Sequence, residues 1–444
     1  MLVWSVNLNP LRLSARLDMA KMDARLDVLF PRLRELGVGM LRTDFLWHFL
    51  VPRPGEPDPQ AIAWYRSFLD RLAGLGIGTY AILYNPPGWA CELAHRDEAA
   101  FLASWQDYVA LCGRELGDRV ALWQVWNEPN NYFSHVKDDF NLFEIRRLRV
   151  AGWEVDLPVR VRWDPIYQLF HRARVELGRD ARIATNFLSN MGNMAPVSFP
   201  DWIEWDVFLE RAMERLHDDV DVLALDHYPD TWVPGTGPLD WEPLSVLLRK
   251  LRDPRSACHG KAAVIGELGY SSCTNANLPL GIRFFPEDHT EGRMADWYAH
   301  ALPHVAARVG PESLPDQDFH LINLYELIDA EPDSIGGRSD LVDIEYHFGL
   351  LRCDASPKPA FDVVREIVAG RPVPATKADW GRSGPMQVYL EASRMSRGFH
   401  RWLGPKLVAL YKTVTPPMRR PGERMVAGFG ALWLLYNALR KPRS

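Results

Sequence analysis

Short runs of apolar, β-branched and aromatic residues recur along this chain and alternate with amphipathic segments, and that alternation constrains the fold more than any other feature. The runs are LVWSVN ending at Asn7, GMLRTD at Asp44, GTYAILY at Tyr84, VALWQVWN at Asn127, RIATN at Asn186, DVLALDH at His227, AAVIGE at Glu267 and FHLINLY at Tyr325. Between most of them lie stretches with helical spacing of apolar residues, such as Leu17 to Leu36, Ala99 to Leu116, Ile166 to Leu177, Trp202 to Leu216, Leu244 to Leu251, Met294 to Val309 and Phe361 to Val368. Buried strands alternating with amphipathic helices predict parallel βα units, and eight such units predict an α/β fold of the closed (β/α)8 TIM barrel type over residues 1–370. In such barrels, reactive groups stand at the C-terminal ends of the strands.

Two glutamates occupy that position. Glu128 follows the fourth run in Trp126-Asn127-Glu128-Pro129, and Glu267 closes the seventh in Ile265-Gly266-Glu267. A single glutamate after a strand is most often a capping or surface residue. A pair facing each other across one barrel mouth is the equipment for acid/base and nucleophilic work on a glycosidic bond, where one carboxylate attacks and the other, still protonated, supplies a proton.

On these residues the chain resembles the clan A retaining glycoside hydrolases, the 4/7 superfamily, over roughly residues 1–370. Within that clan, the Arg-Thr-Asp-Phe stretch from Arg42 and the Tyr-Glu-Leu-Ile-Asp stretch from Tyr325 lean toward family 39. The resemblance implies Glu128 as acid/base and Glu267 as nucleophile, with Asn127 on the sugar hydroxyl beside the anomeric carbon and Arg42 steadying the nucleophile. It implies a substrate that is an oligosaccharide, polysaccharide or glycolipid, and neither cofactor nor metal. Two departures stand out. Where the clan often carries His-x-Tyr after strand six, this chain reads Asp226-His227-Tyr228. Side chains along a strand alternate faces, so either Asp226 and Tyr228 share the pocket or a bulge turns His227 inward. The clan's tryptophan after strand eight is replaced by Tyr325. The expected substrate-binding set is therefore Asn127, Arg42, Tyr228, His227, Asn186 and Tyr325. Aromatic platforms for sugar faces are added from Trp89, Trp126 and Trp232, with Trp153 and Trp241 as further candidates among 17 tryptophans.

A formal charge of −6 argues against nucleic acid as a partner. That charge is unevenly distributed. After a linker at 371–384, residues 385–444 hold eleven Lys or Arg against Glu391 and Glu423, about +9, leaving about −15 for the rest. Val388, Met395, Phe399, Trp402, Leu403, Leu407, Leu410 and Tyr411 share one helical face, and an apolar segment from Met425 to Leu439 is flanked by basic residues. It falls short of the ~20 residues needed to span a bilayer, so a basic amphipathic tail lying on an anionic membrane surface is expected, with packing on the barrel as the competing reading. MLVWSVNLNP runs straight into a strand without the basic start and apolar stretch of a secretory signal, and Cys91, Cys112, Cys258, Cys273 and Cys353 have no metal spacing. A cytoplasmic location, peripheral at the membrane face, is the expectation. A soluble exo-acting glycosidase, a transglycosidase and a catalytically silent carbohydrate-binding or scaffold protein stay open as alternatives.

Overall fold

The computed structural model describes residues 1–130, 143–150, 153–189, 205–229, 231, 239–273, 289–331 and 343–374, with 143–150 and 153–161 described as backbone. The barrel strands are β1 (Leu2–Asn7), β2 (Met40–Leu46), β3 (Gly78–Tyr84), β4 (Val120–Val125), β7 (Ile183–Leu188), β8 (Val222–His227), β9 (Ala262–Leu268) and β10 (His320–Leu324). They pair in parallel, each with its successor, and β10 returns to β1, so the sheet closes. The basic tail 385–444 and all of the linker beyond residue 374 lie outside the described residues.

The helices form where local signals and burial agree. In the helix Met19–Leu36, Asp18 caps the first turn by accepting from the Lys21 amide, and Gly37 ends it in the left-handed conformation at φ 78°. In Glu242–Arg252, Leu244, Leu247, Leu248 and Leu251 recur at three- and four-residue spacing and are all buried. Each such leucine contributes about 1.5–3 kcal/mol on leaving water. Together these helices form the outer layer of the core, against the outward faces of the strands.

A smaller core fills the barrel itself, built from Met40, Tyr80, Leu122, Ala184, Val222, Ala224, Val264 and Leu321. One pleat further toward the C-terminal ends, the inward positions turn polar. Asn7, Arg42, Gln124, Asn186 and Asp226 are all buried there. The switch from apolar to polar along the same strand face is what converts a packed interior into a pocket floor.

The connection between β4 and β7 contains a two-stranded antiparallel hairpin, β5 (Phe143–Val150) with β6 (Trp153–Val161), followed by the helix Trp163–Leu177. Its many charged residues, including Arg146, Arg147 and Arg149, hide a strand from a reading based on apolar runs. Among the described residues, no helix is long and apolar enough to cross a membrane.

Candidate active site

The site is organised around Arg42, at the third position of β2 and 1% exposed. Its guanidinium donates to Glu267 Oε1 at 2.5 Å and to Asn7 Oδ1 at 3.1 Å from Nη1. From the other edge, Nε and Nη2 reach Gln124 Oε1 at 3.2 and 2.9 Å, and Nη2 reaches Asn127 Oδ1 at 3.1 Å. One planar group on β2 thereby fixes groups on β1, β9, and on and just after β4. Burial opposes the charge on Arg42, yet Glu267 and the surrounding acidic groups outweigh it, and the guanidinium is held more firmly protonated than usual.

Glu267 is presented by a bulge. The β8 and β9 strands run in register to Leu225 opposite Ile265, and then Asp226 lies opposite Glu267, leaving Gly266 as the extra residue. Asn323 on β10 donates to the carbonyl of Gly266 at 2.8 Å, and its own Oδ1 accepts from Ser5 at 2.7 Å. Glu267 Oε2 accepts from the phenol of Tyr228, whose pKa is raised by burial and by that same carboxylate.

Glu128 stands at the exit of β4, where the chain turns sharply. Trp126 and Glu128 both have left-handed backbone, at φ 65° and 42°, a conformation costing about 1–3 kcal/mol for residues other than glycine. Two side chains hold the turn. Gln124 Nε2 donates to Trp126 O at 2.8 Å, and Asn186 Oδ1 accepts the Glu128 amide at 2.7 Å. Asn130 adds a staple across to β7, donating to Leu188 O at 2.9 Å and accepting from Leu188 N at 3.0 Å.

Asn186 then ties the Glu128 turn to β8, the sixth strand of the barrel. Its Nδ2 donates both to Asn127 Oδ1 at 2.8 Å and to Asp226 Oδ2 at 2.6 Å. Asp226 is fully buried and is pushed well above the ordinary carboxylate range by desolvation, with Glu267 and Glu128 adding to the shift. Asp44, at the mouth beside Arg42, rises to about 6, chiefly through burial. One carboxylate oxygen each from Glu128, Asp226 and Glu267 lie within 4.8 Å of one another. Among the described residues these three could share a cation by distance, but Arg42 already supplies the counter-charge to Glu267 at 2.5 Å.

The pocket therefore brings together Glu128, Glu267, Asn127, Arg42, Asn186 and Tyr228. Tyr325 joins them at the wall, its ring packed edge-on against Tyr228 at 5.7 Å and its hydroxyl donating to Glu345 Oε1 at 2.5 Å. Arg12 clasps the same corner through Glu326 at 2.9 and 3.0 Å and Glu345 at 3.2 Å.

Other expected residues lie elsewhere. His227 faces out of the barrel, bonded to Ser189 Oγ at 2.9 Å and to the carbonyl of Asp240 at 2.5 Å, because the bulge falls in β9 and leaves the alternation of β8 intact. Trp126 is 1% exposed, turned by its left-handed backbone into the helix layer against Tyr84 and Trp105 at 5.4 and 5.7 Å. Trp241 packs against Trp297 and His304. Trp89 is half-buried, edge-on to Trp47 at 5.7 Å. Trp232 and the side chain of Trp153 lie outside the described residues. Sequence reading missed Gln124, Tyr80, Asn7, Asn130 and Arg12. A polar residue at an inward position of an apolar strand, as Gln124 is in VALWQVWN, is the signal that marks such residues.

Part of the sequence, and the fold, are similar to known proteins. Residues 22–140 match the family model of glycosyl hydrolase family 1. That segment contains Arg42, Asn127 and Glu128, and the matching model is that of family 1; the expected lean toward family 39 is not confirmed. Beta-glucosidase 25 of Oryza sativa subsp. japonica is 28% identical over 107 residues, which cover 22% of this chain and 21% of that enzyme. Glycosyl hydrolase-like protein 1 of Saponaria officinalis is 25% identical over 127 residues, 28% of each chain. The aligned stretch thus spans only 21% and 28% of the length of these curated relatives. In three dimensions the fold is similar to a family 1 β-glucosidase from Thermotoga maritima, with a TM-score of 0.55 and 14% identity over 84% of this chain and 98% of that one.

Proposed function

We propose that this protein is a retaining glycoside hydrolase cleaving a β-glycosidic bond by double displacement. The observation that carries the reading is the close approach of the Glu128 and Glu267 carboxylates, with oxygens within 4.8 Å. Retaining enzymes hold their carboxyl groups about 5–5.5 Å apart, whereas inverting enzymes leave about 6.5–9.5 Å for a water between them.

Glu267 is the group equipped to attack. Arg42 and Tyr228 both donate to it, which fixes the carboxylate and aims its lone pairs. Glu128 is the proton donor to the departing oxygen and then the base that activates water. Asn127, its Oδ1 held by donors from Arg42, Gln124 and Asn186, would present its amide to the hydroxyl beside the reacting carbon. The rice and Thermotoga proteins above are β-glucosidases by name, which supports a β-linked glycoside as substrate class. We further propose that residues 385–444 hold the enzyme at an anionic cytoplasmic membrane face, which would favour a glycolipid or lipid-linked substrate. Co-sedimentation with anionic liposomes, compared between the full chain and a chain ending at 384, tests that attachment.

The test of the chemistry is covalent trapping with a panel of 2-deoxy-2-fluoro glycosides, read by intact-mass and peptide mass spectrometry. A sugar-sized adduct on Glu267, lost in Glu267→Gln, is the expected result. Oligosaccharide binding without any adduct would favour a carbohydrate-binding protein instead. Products extended by an added acceptor sugar would identify a transglycosidase.

A further inference from the structure

The pocket holds a third carboxyl group that the double-displacement scheme does not use. Asp226 lies in register with Glu267 across the bulge, and its Oδ2 accepts from Asn186. Its Oδ1 is buried and, among the described residues, has no hydrogen-bond partner. That oxygen sits so close over Gly266 that a Cβ there would come within 2.4 Å of it.

The groups facing Asp226 come from the surrounding strands. They are Glu267 on β9, Glu128 after β4, Asn186 on β7, Arg42 on β2, Tyr80 on β3, and Tyr228 on its own chain segment. Arg42 is the counter-charge at the centre of this group, and it is committed to Glu267. Were all three central carboxyls ionised, the pocket would carry two negative charges in excess. An ionised oxygen buried without a donor costs more than a buried neutral one. The cycle also requires Glu128 to give up its proton beside an already occupied Glu267, a step that an additional negative charge at Asp226 would oppose.

Resting on the glycosidase reading, we propose that Asp226 is a positioning residue carried as the neutral carboxylic acid. In that form it fixes the Asn186 amide, and through it the Glu128 main chain and Asn127, while keeping the pocket at a charge into which Glu128 can release its proton. The two acceptors of Asn186 Nδ2, Asp226 and Asn127, leave Asn186 Oδ1 pointed at the Glu128 amide. Removing Asp226 takes away the contact that sets which way round that amide sits.

Two variants separate the charge from the contact. Asp226→Asn preserves a neutral acceptor of the same shape, and Asp226→Ala removes it. With aryl β-glycosides, Asp226→Asn is expected to keep kcat/KM within about threefold and both limbs of its pH profile in place, whereas Asp226→Ala loses about a hundredfold with unchanged limbs. A displacement of either limb by about a pH unit in Asp226→Asn, or wild-type activity in Asp226→Ala, overturns the proposal. The protonation state is read independently of turnover from the infrared difference between wild type and Asp226→Asn at neutral pH. A carboxylic-acid carbonyl band in the wild type supports the assignment, and a carboxylate band in its place refutes it. If the wild type cleaves no glycoside and the acid band is present, the glycosidase reading fails while the neutral state of Asp226 stands. If the wild type is active and the carboxylate band is found, the proposal fails alone.

Discussion

Gly266→Ala is the substitution whose effect follows most directly from the packing. An alanine Cβ at this position would lie 2.4 Å from Asp226 Oδ1 and 2.9 Å from Ala224 Cβ, both inside the 3.0 Å that real Cβ contacts essentially never breach. Neither neighbour can swing away. Asp226 is fully buried and held by Asn186 at 2.6 Å, and the Ala224 methyl is rigidly attached to the strand. The backbone of β9 must therefore move, at about 1–3 kcal/mol, the usual range for overpacking a dense core. Glu267 is the next residue and moves with it. A displacement on the order of 1 Å at a reacting group costs about a hundredfold in rate. Urea unfolding followed by circular dichroism, with initial rates on an aryl β-glycoside, reads both effects. Gly88→Ala serves as the control, since nothing lies within 4 Å of its Cβ position. If Gly266→Ala unfolds at the wild-type midpoint and turns over at the wild-type rate, the close packing of Asp226 over the bulge is refuted.

Four further substitutions probe the rest of the site. Arg42→Lys replaces a planar fork by a point charge that cannot serve Glu267, Asn7, Gln124 and Asn127 together; it should lower kcat/KM at least a hundredfold, about 3 kcal/mol of transition-state stabilisation, in steady-state assays. Tyr228→Phe removes a donor from Glu267 and should cost roughly ten- to a hundredfold in kcat with little change in melting temperature. His227→Gln should leave kcat/KM within about twofold, because the imidazole bonds Ser189 and the Asp240 carbonyl outside the pocket. Asp44 binds its proton more tightly folded than unfolded, with a pKa raised from 3.8 to about 6, so stability should fall as pH rises through that window, by up to about 3 kcal/mol. Asp44→Asn should flatten that part of the stability profile measured by denaturant titration.

The sheet was legible because a parallel strand covered on both faces reads as an unbroken apolar run. VLALDH and AAVIGE read as such strands, and the placing of Glu128 and Glu267 at one mouth follows because each sits at or just beyond such a run's end. What stayed hidden depends on contacts between distant residues. Arg12 meets Glu326 across 314 residues of chain, and Arg42 meets Gln124 across 82. The choice between Asp226 and His227 turned on which strand carries the bulge, and a glycine in a strand has several explanations besides a bulge. Trp126 resembled a platform by its place beside Asn127; the left-handed turn that sends it into the helix layer is a tertiary choice, enforced by Gln124 and Asn186. The β5–β6 hairpin escaped notice because its pairing alternates charged with apolar residues.

The ring of strands also dictates when the pocket comes into being. β1 is bonded to β2 on one side and to β10 on the other, so the first strand of the barrel in chain order completes its pairing only with the last. Arg42 likewise finds Glu267 only 225 residues further along the chain. The stretch 22–140 that matches the family 1 model carries Arg42 and Glu128, but neither Glu267 nor the strand that shuts the circle. A cluster whose members stand on strands this far apart in sequence is complete only once the sheet has closed around it.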